Sequence, residues 1–211
     1  GEFMVYLQPK MDISREKICG AEALIRWNYK HKEMMAPYRF IPHFEVDDSI
    51  VKVDEFVLHR VCAKLKEWKE KGYTLYPISV NLSRRHMVQP YLARHLAAIV
   101  NSYGVDRTLI EFEITETMAY DNQAYMVSEL NDLKQKGFRI SMDDFGTGYS
   151  SFALLKEMPL DTLKIDKSFV DLIVADEDTE KITIILRHII SMAKELGIDS
   201  IAEGVEEQTQ V

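Results

Sequence analysis

MVYLQPKMDISREKICGAEALIRW, residues Met4 to Trp27, is the stretch that decides the fold. It holds two β-rich apolar runs, MVYLQP and GAEALIRW, joined only by KMDISREKIC. A parallel crossover needs about a dozen residues or more, usually including a helix, and DISREK is too short for one. The first two strands are therefore expected to be antiparallel.

Beyond this pair the β-rich runs are YPISVNLS, LIEFEITET, FRISMDDF, TLKIDKSF and DSIAEGV, which brings the expected strands to seven. Amphipathic stretches separate them. Val53, Val57, Val61, Leu65 and Trp68 recur at three or four, an apolar helical stripe. Ile182, Leu186, Ile189, Ile190 and Ala193 repeat the pattern, and Gly197 follows as a C-cap. Alternating strands and helices, with strands that are nearly all apolar, indicate parallel strands covered on both faces. The expected fold class is α/β, a TIM-like (β/α) barrel with an antiparallel first strand; an open α/β sheet is the alternative.

A length of 211 residues suits one such domain. With 46% hydrophobic and 28% charged residues the composition is that of a globular chain, and no apolar run is long enough to span a membrane. A formal charge of −8 argues against coating polymeric nucleic acid, though bound divalent cations would reverse the sign locally around a small phosphate ligand. Cys19 and Cys62 are too isolated for a disulfide framework and suggest a reducing, cytoplasmic setting.

Polar residues recur where strands end. Asn81 closes ISVN, Glu113 lies in EFEIT, Asp143 and Asp144 close ISMDD, Lys164 lies in TLKID and Glu203 follows SIA. Strand ends of a (β/α) barrel converge on one mouth, where such enzymes place their chemistry. Glu22, in AEAL, joins them if it points inward. Carboxylate and amide oxygens are hard donors suited to Mg²⁺ or Mn²⁺. A carboxylate bridging two ions, with another beside it, is a standard means of clamping a phosphoryl group, and Asp143 and Asp144 suit that arrangement. Each residue alone has a plainer reading: a solvated strand end for the acid pair, a helix cap for Asn81, a surface position for Lys164. The joint pattern carries the metal reading. The histidines lack ligand spacing, and Met34 and Met35 read as packing residues in a loop-like stretch.

GAEALIRW resembles the Glu-Ala-Leu motif of the EAL domain, the cyclic di-GMP phosphodiesterase of bacterial signalling. YLQPK, FIP, SVNLS, FEITET, DDFGTGYSS, LKIDKSFV and AEGVE follow in the family's order. The resemblance implies that Glu22, Asn81, Glu113 and Asp143 hold a first metal ion, and that Asp143, Asp144 and Glu203 hold a second. It implies that Lys164 contacts the attacking water, that Glu203 is a candidate general base, and that Gln8 and Arg26 touch the dinucleotide. Glu116 matches the residue that anchors the loop after Asp144. The implied reaction is hydrolysis of cyclic di-GMP to linear pGpG with two Mg²⁺ or Mn²⁺ ions, by a homodimer; the alternative is a receptor that binds the dinucleotide with little or no turnover.

The family's pattern continues past the Glu-Gly-Val-Glu stretch with a helix, an eighth strand and a final helix, whereas this sequence reaches EEQTQV. The expectation is an EAL phosphodiesterase domain over 1–211. It is expected to be excised from a longer signalling protein, with a GGDEF or sensory domain upstream and a possible membrane anchor in the parent, and to lack its last helix–strand–helix.

Overall fold

The computed structural model of the chain describes residues 1–120, 123–147, 152–175, 179–206 and 210. Among them are eight strands: β1 (Phe3–Asp12), β2 (Lys17–Tyr29), β3 (Glu33–Met35), β4 (Ile78–Asn81), β5 (Ile110–Thr115), β6 (Arg139–Phe145), β7 (Thr162–Ile165) and β8 (Asp199–Ala202). The helices are α1 (Ile41–Val46), α2 (Ile50–Glu70), α3 (Arg84–Met87), α4 (Leu92–Ser102), α5 (Gln123–Gln135), α6 (Phe152–Glu157), α7 (Lys167–Ala175) and α8 (Thr179–Glu195). The chain forms two compact units, residues 1–112 with 132–138, and residues 113–131 with 139–211.

In the first unit β1 and β2 are antiparallel, with Gln8 opposite Glu22 and Lys10 opposite Gly20. The turn between them is too short for anything else, as the sequence requires. β2 then pairs parallel with β4, Glu22 beside Ser79. Leu58, Val61, Cys62 and Leu65 of α2, Leu92, Leu96 and Val100 of α4, and Ile78 and Val80 of β4 are buried. The rings of Phe112 and Phe138 meet edge to face at 5.0 Å. Val53 and Trp68, expected on the α2 stripe, are only half-buried.

β3 is a correction to the seven strands expected. It pairs antiparallel with β2, Trp27 opposite Met35 and Asn28 opposite Met34. Three residues are too few to show strand periodicity, so Met34 and Met35 looked like loop. Met34 is 46% exposed and does not serve as packing.

In the second unit β6, β7 and β8 are parallel neighbours in that order. Met142, Leu163, Ile165, Val170, Leu186 and Ala193 are buried. Ile190, expected on the apolar stripe of α8, is 44% exposed. One residue of helix turns the chain by about 100°, so Ile189 and Ile190 cannot both face the same neighbour. α8 ends in a Schellman closure: Ile198 N–H donates to Ala193 at 2.9 Å and Gly197 N–H to Lys194 at 3.1 Å. Gly197 has φ of +73°, the conformation that makes glycine the preferred residue there.

Candidate active site and metal centre

In the first unit, Gln8 and Glu22 face each other across the β1–β2 pair. Residues four apart on a strand share a face, which puts Arg26 on the same side as Glu22. The Arg26 guanidinium donates to the Ile25 carbonyl at 2.9 Å. Asn81, the last residue of β4, donates its amide to Glu22 Oε1 at 3.2 Å. It does not cap the next helix. Ser83 does that, its hydroxyl accepting from His86 N–H at 3.2 Å.

In the second unit, Lys164 is the centre. Its side chain is 2% exposed, and Nζ lies 3.0 Å from Glu113, 3.0 Å from Asp143 and 2.8 Å from Glu203. A surface role for this lysine is therefore excluded. Burying an ammonium is tolerable only with opposing charge close by, and three carboxylates supply it. Glu203 follows β8 and is held beside Lys164 by a hydrogen bond from its N–H to the Ile165 carbonyl, 3.0 Å.

The adjacent acids Asp143 and Asp144 need a special backbone to act together. Successive side chains of a regular strand point to opposite faces. Here Met142 pairs with Leu163 and Phe145 with Ile165, so one extra residue is accommodated on β6. Asp144 adopts a left-handed φ of 56°, and its N–H donates to Asp143 Oδ1 at 2.9 Å. This bulge turns both carboxylates to one side. Oxygens of Asp143, Asp144 and Glu203 all lie within 4.8 Å of one another.

Burial raises the Asp144 carboxyl above its ordinary range, repulsion from Asp143 and Asp166 adds to the rise, and Lys164 opposes it. Burial also raises Glu203, again opposed by Lys164. Four carboxylates, Glu113, Asp143, Asp144 and Glu203, thus gather around one ammonium, a set of hard oxygen donors with excess negative charge. That chemistry fits divalent Mg²⁺ or Mn²⁺.

The loop beyond is tied back by Glu116, a fully buried residue whose Oε2 accepts from Gly146 N–H at 3.0 Å. Gly146 has φ of +101°, and a Cβ there would lie 2.3 Å from the Phe169 ring. Gly148 and residues 149–151 of the motif lie outside the described residues. Two polar groups escaped the sequence reading. Asp166, two residues after Lys164, contributes to the field on Asp144. His86, left without a role among scattered histidines, is buried with Nδ1 3.3 Å from Asp54.

Compared with known proteins, residues 1–211 match the family described as the EAL domain. The chain belongs to the EAL domain family. This EAL domain is 36% identical to the signaling protein YkoW of Bacillus subtilis over 99% of its own length and 26% of the relative's. It is 31% identical to MucR of Pseudomonas aeruginosa, a bifunctional diguanylate cyclase/cyclic di-GMP phosphodiesterase, over 99% of its own length and 30% of MucR's. The solved PaMucR phosphodiesterase in complex with c-di-GMP has a TM-score of 0.91 at 30% identity, covering 99% of this chain and 83% of that one. The domain thus spans between a quarter and a third of the length of these two curated relatives. Its fold class is that of EAL structures, α/β and TIM-like, with the first strand antiparallel to the second. No helix among the described residues is long and apolar enough to cross a membrane.

Proposed function

We propose that this EAL domain hydrolyses one phosphodiester of cyclic di-GMP to linear pGpG with two divalent cations, Mg²⁺ or Mn²⁺. The observation that carries the reading is the convergence of Asp143, Asp144 and Glu203 oxygens within 4.8 Å, beside a buried Lys164. Membership of the family and likeness to a phosphodiesterase solved with c-di-GMP support the choice of substrate.

Asp143, Asp144 and Glu203 would hold one ion; the resemblance to the family assigns the other to Glu22, Asn81, Glu113 and Asp143. When bound, such ions polarise phosphoryl oxygens and neutralise charge that develops during attack. The chain's own groups do the rest. Lys164 keeps Glu113, Asp143 and Glu203 in place, and in the proposed reaction its ammonium would exchange one of these contacts for the attacking water and stabilise phosphoryl charge. Glu203, with its carboxyl raised, is suited to take a proton from that water. Gln8 and Arg26, on the face that carries Glu22, would contact the dinucleotide. Glu116, through Gly146 N–H, would fix the loop after Asp144.

The test is Asp144→Asn. Turnover is expected to fall by roughly 10²-fold or more, the scale of losing one electrostatic stabiliser of the transition state. Binding of cyclic di-GMP, followed by calorimetry, should survive in part. Undiminished hydrolysis by this variant would remove Asp144 from the site.

A further inference from the structure

Beneath Gln8, Glu22 and Asn81 lies a second polar group, to which the proposed reaction assigns no part. Lys10 of β1 reaches Ser79 of β4 and Glu111 of β5. Its Nζ donates to the Ser79 hydroxyl and lies 3.0 Å from Glu111 Oε1, while Ser79 Oγ donates to the same oxygen at 2.7 Å. Ser79 and Glu111 are buried, and the Lys10 side chain is only 12% exposed.

Gly20 of β2, opposite Lys10, adds no side chain beside the lysine stem. Gly20 is the register partner of Lys10, and a Cβ on Gly20 would lie 3.7 Å from Lys10 Cδ and 3.0 Å from the Pro77 carbonyl. The lysine stem passes Gly20 and ends beside Ser79 of β4 and Glu111 of β5.

Each member of the group stands two residues from a proposed site residue on the same strand: Lys10 from Gln8, Gly20 from Glu22, Ser79 from Asn81, Glu111 from Glu113. Residues two apart on a strand share a face. The group thus forms a polar layer directly under that of Gln8, Glu22 and Asn81. A buried ion pair adds little net stability over apolar residues of similar volume, and its best-attested use is to specify register.

We infer that Lys10, Ser79 and Glu111 are positioning residues, a strap across β1, β4 and β5 that sets the relative placement of Gln8, Glu22 and Asn81. The inference rests on the metal and substrate roles proposed above. Lys10 acts through the strands it ties and touches no reacting atom.

The double variant Lys10→Met, Glu111→Gln removes both charges at nearly constant volume and is expected to melt no lower than the parent. Its Mn²⁺ affinity is expected to fall roughly 10- to 100-fold, the usual effect of losing support behind metal ligands. kcat should fall more than KM changes, and the Asn81–Glu22 hydrogen bond should be lost in a crystal structure of the metal-free variant. Lys10→Arg, which keeps the charge, should retain most of the affinity. A double variant with parental Mn²⁺ affinity and an intact Asn81–Glu22 bond would overturn the inference. Ser79→Ala carries the same test if the double variant does not fold; parental affinity and an intact bond in it would count equally against the strap. A parent protein that neither binds Mn²⁺ nor hydrolyses cyclic di-GMP would sink the proposed function instead, and the Asn81–Glu22 distance in the variants would still decide the role of the strap.

Discussion

Asp144 combines a left-handed backbone with a place in the proposed metal centre. A left-handed conformation costs an L-residue about 1–2 kcal/mol, least for Asn and Asp. Asp144→Asn should therefore leave the metal-free protein at least as stable as the parent, since it also relieves repulsion from Asp143 and Asp166. Asp144→Val should destabilise by about 1–2 kcal/mol or more in urea melts, because a β-branched residue tolerates that φ poorly. Equal stability of the two variants would mean that the backbone at 144 is not held left-handed. The two cysteines offer a separate check. Burial pushes the Cys62 thiol up to about 12, whereas Cys19 is exposed. A thiol reagent at pH 8 should label one cysteine quickly and the second only in denaturant.

Elements were legible in the sequence to the degree that they are periodic. The short link between MVYLQP and GAEALIRW was enough to reverse the first strand, and near-continuous apolar runs identified β4, β5, β6 and β7. β3 was missed because three residues show no period, and Ile190 was misplaced because an apolar count does not measure angle. That Asn81, Asp143, Asp144 and Glu203 lie at or near strand ends was readable. The bulge that turns Asp143 and Asp144 the same way was not, since it arises from pairing with β7. Likewise, nothing in Lys10, Ser79 or Glu111 taken singly shows that they meet; the pairing of β1 with β2 and of β2 with β4 brings them together. Element ends give a further test. Gly197→Ala, at φ of +73°, should cost about 1–2 kcal/mol in thermal or urea melts. No loss of stability would mean that the Schellman closure of α8 does not form.

For the whole molecule the governing quantity is charge, −8 overall and concentrated acidity around Lys164. A carboxyl whose pKa is raised on folding binds its proton more tightly in the folded state than in the unfolded one. Its effect on stability is therefore unfavourable above the folded pKa and is relieved as pH falls through that value. Asp144 and Glu203 are such groups, raised from 3.8 and 4.5. A bound divalent cation would replace the proton, and any ligand selective for the folded state raises its melting temperature. Mn²⁺ should thus raise the melting temperature of chelator-treated protein, and more so at pH 7.5 than at pH 5. An equal shift at both values would place the metal elsewhere.

The most direct measurement is a time course of cyclic di-GMP incubated with this EAL domain and Mg²⁺ or Mn²⁺, with substrate and linear pGpG resolved by chromatography. Accumulation of pGpG that stops on adding chelator is the predicted result. Cyclic di-GMP recovered intact, with either metal present at saturating concentration, would contradict hydrolysis by the site around Lys164.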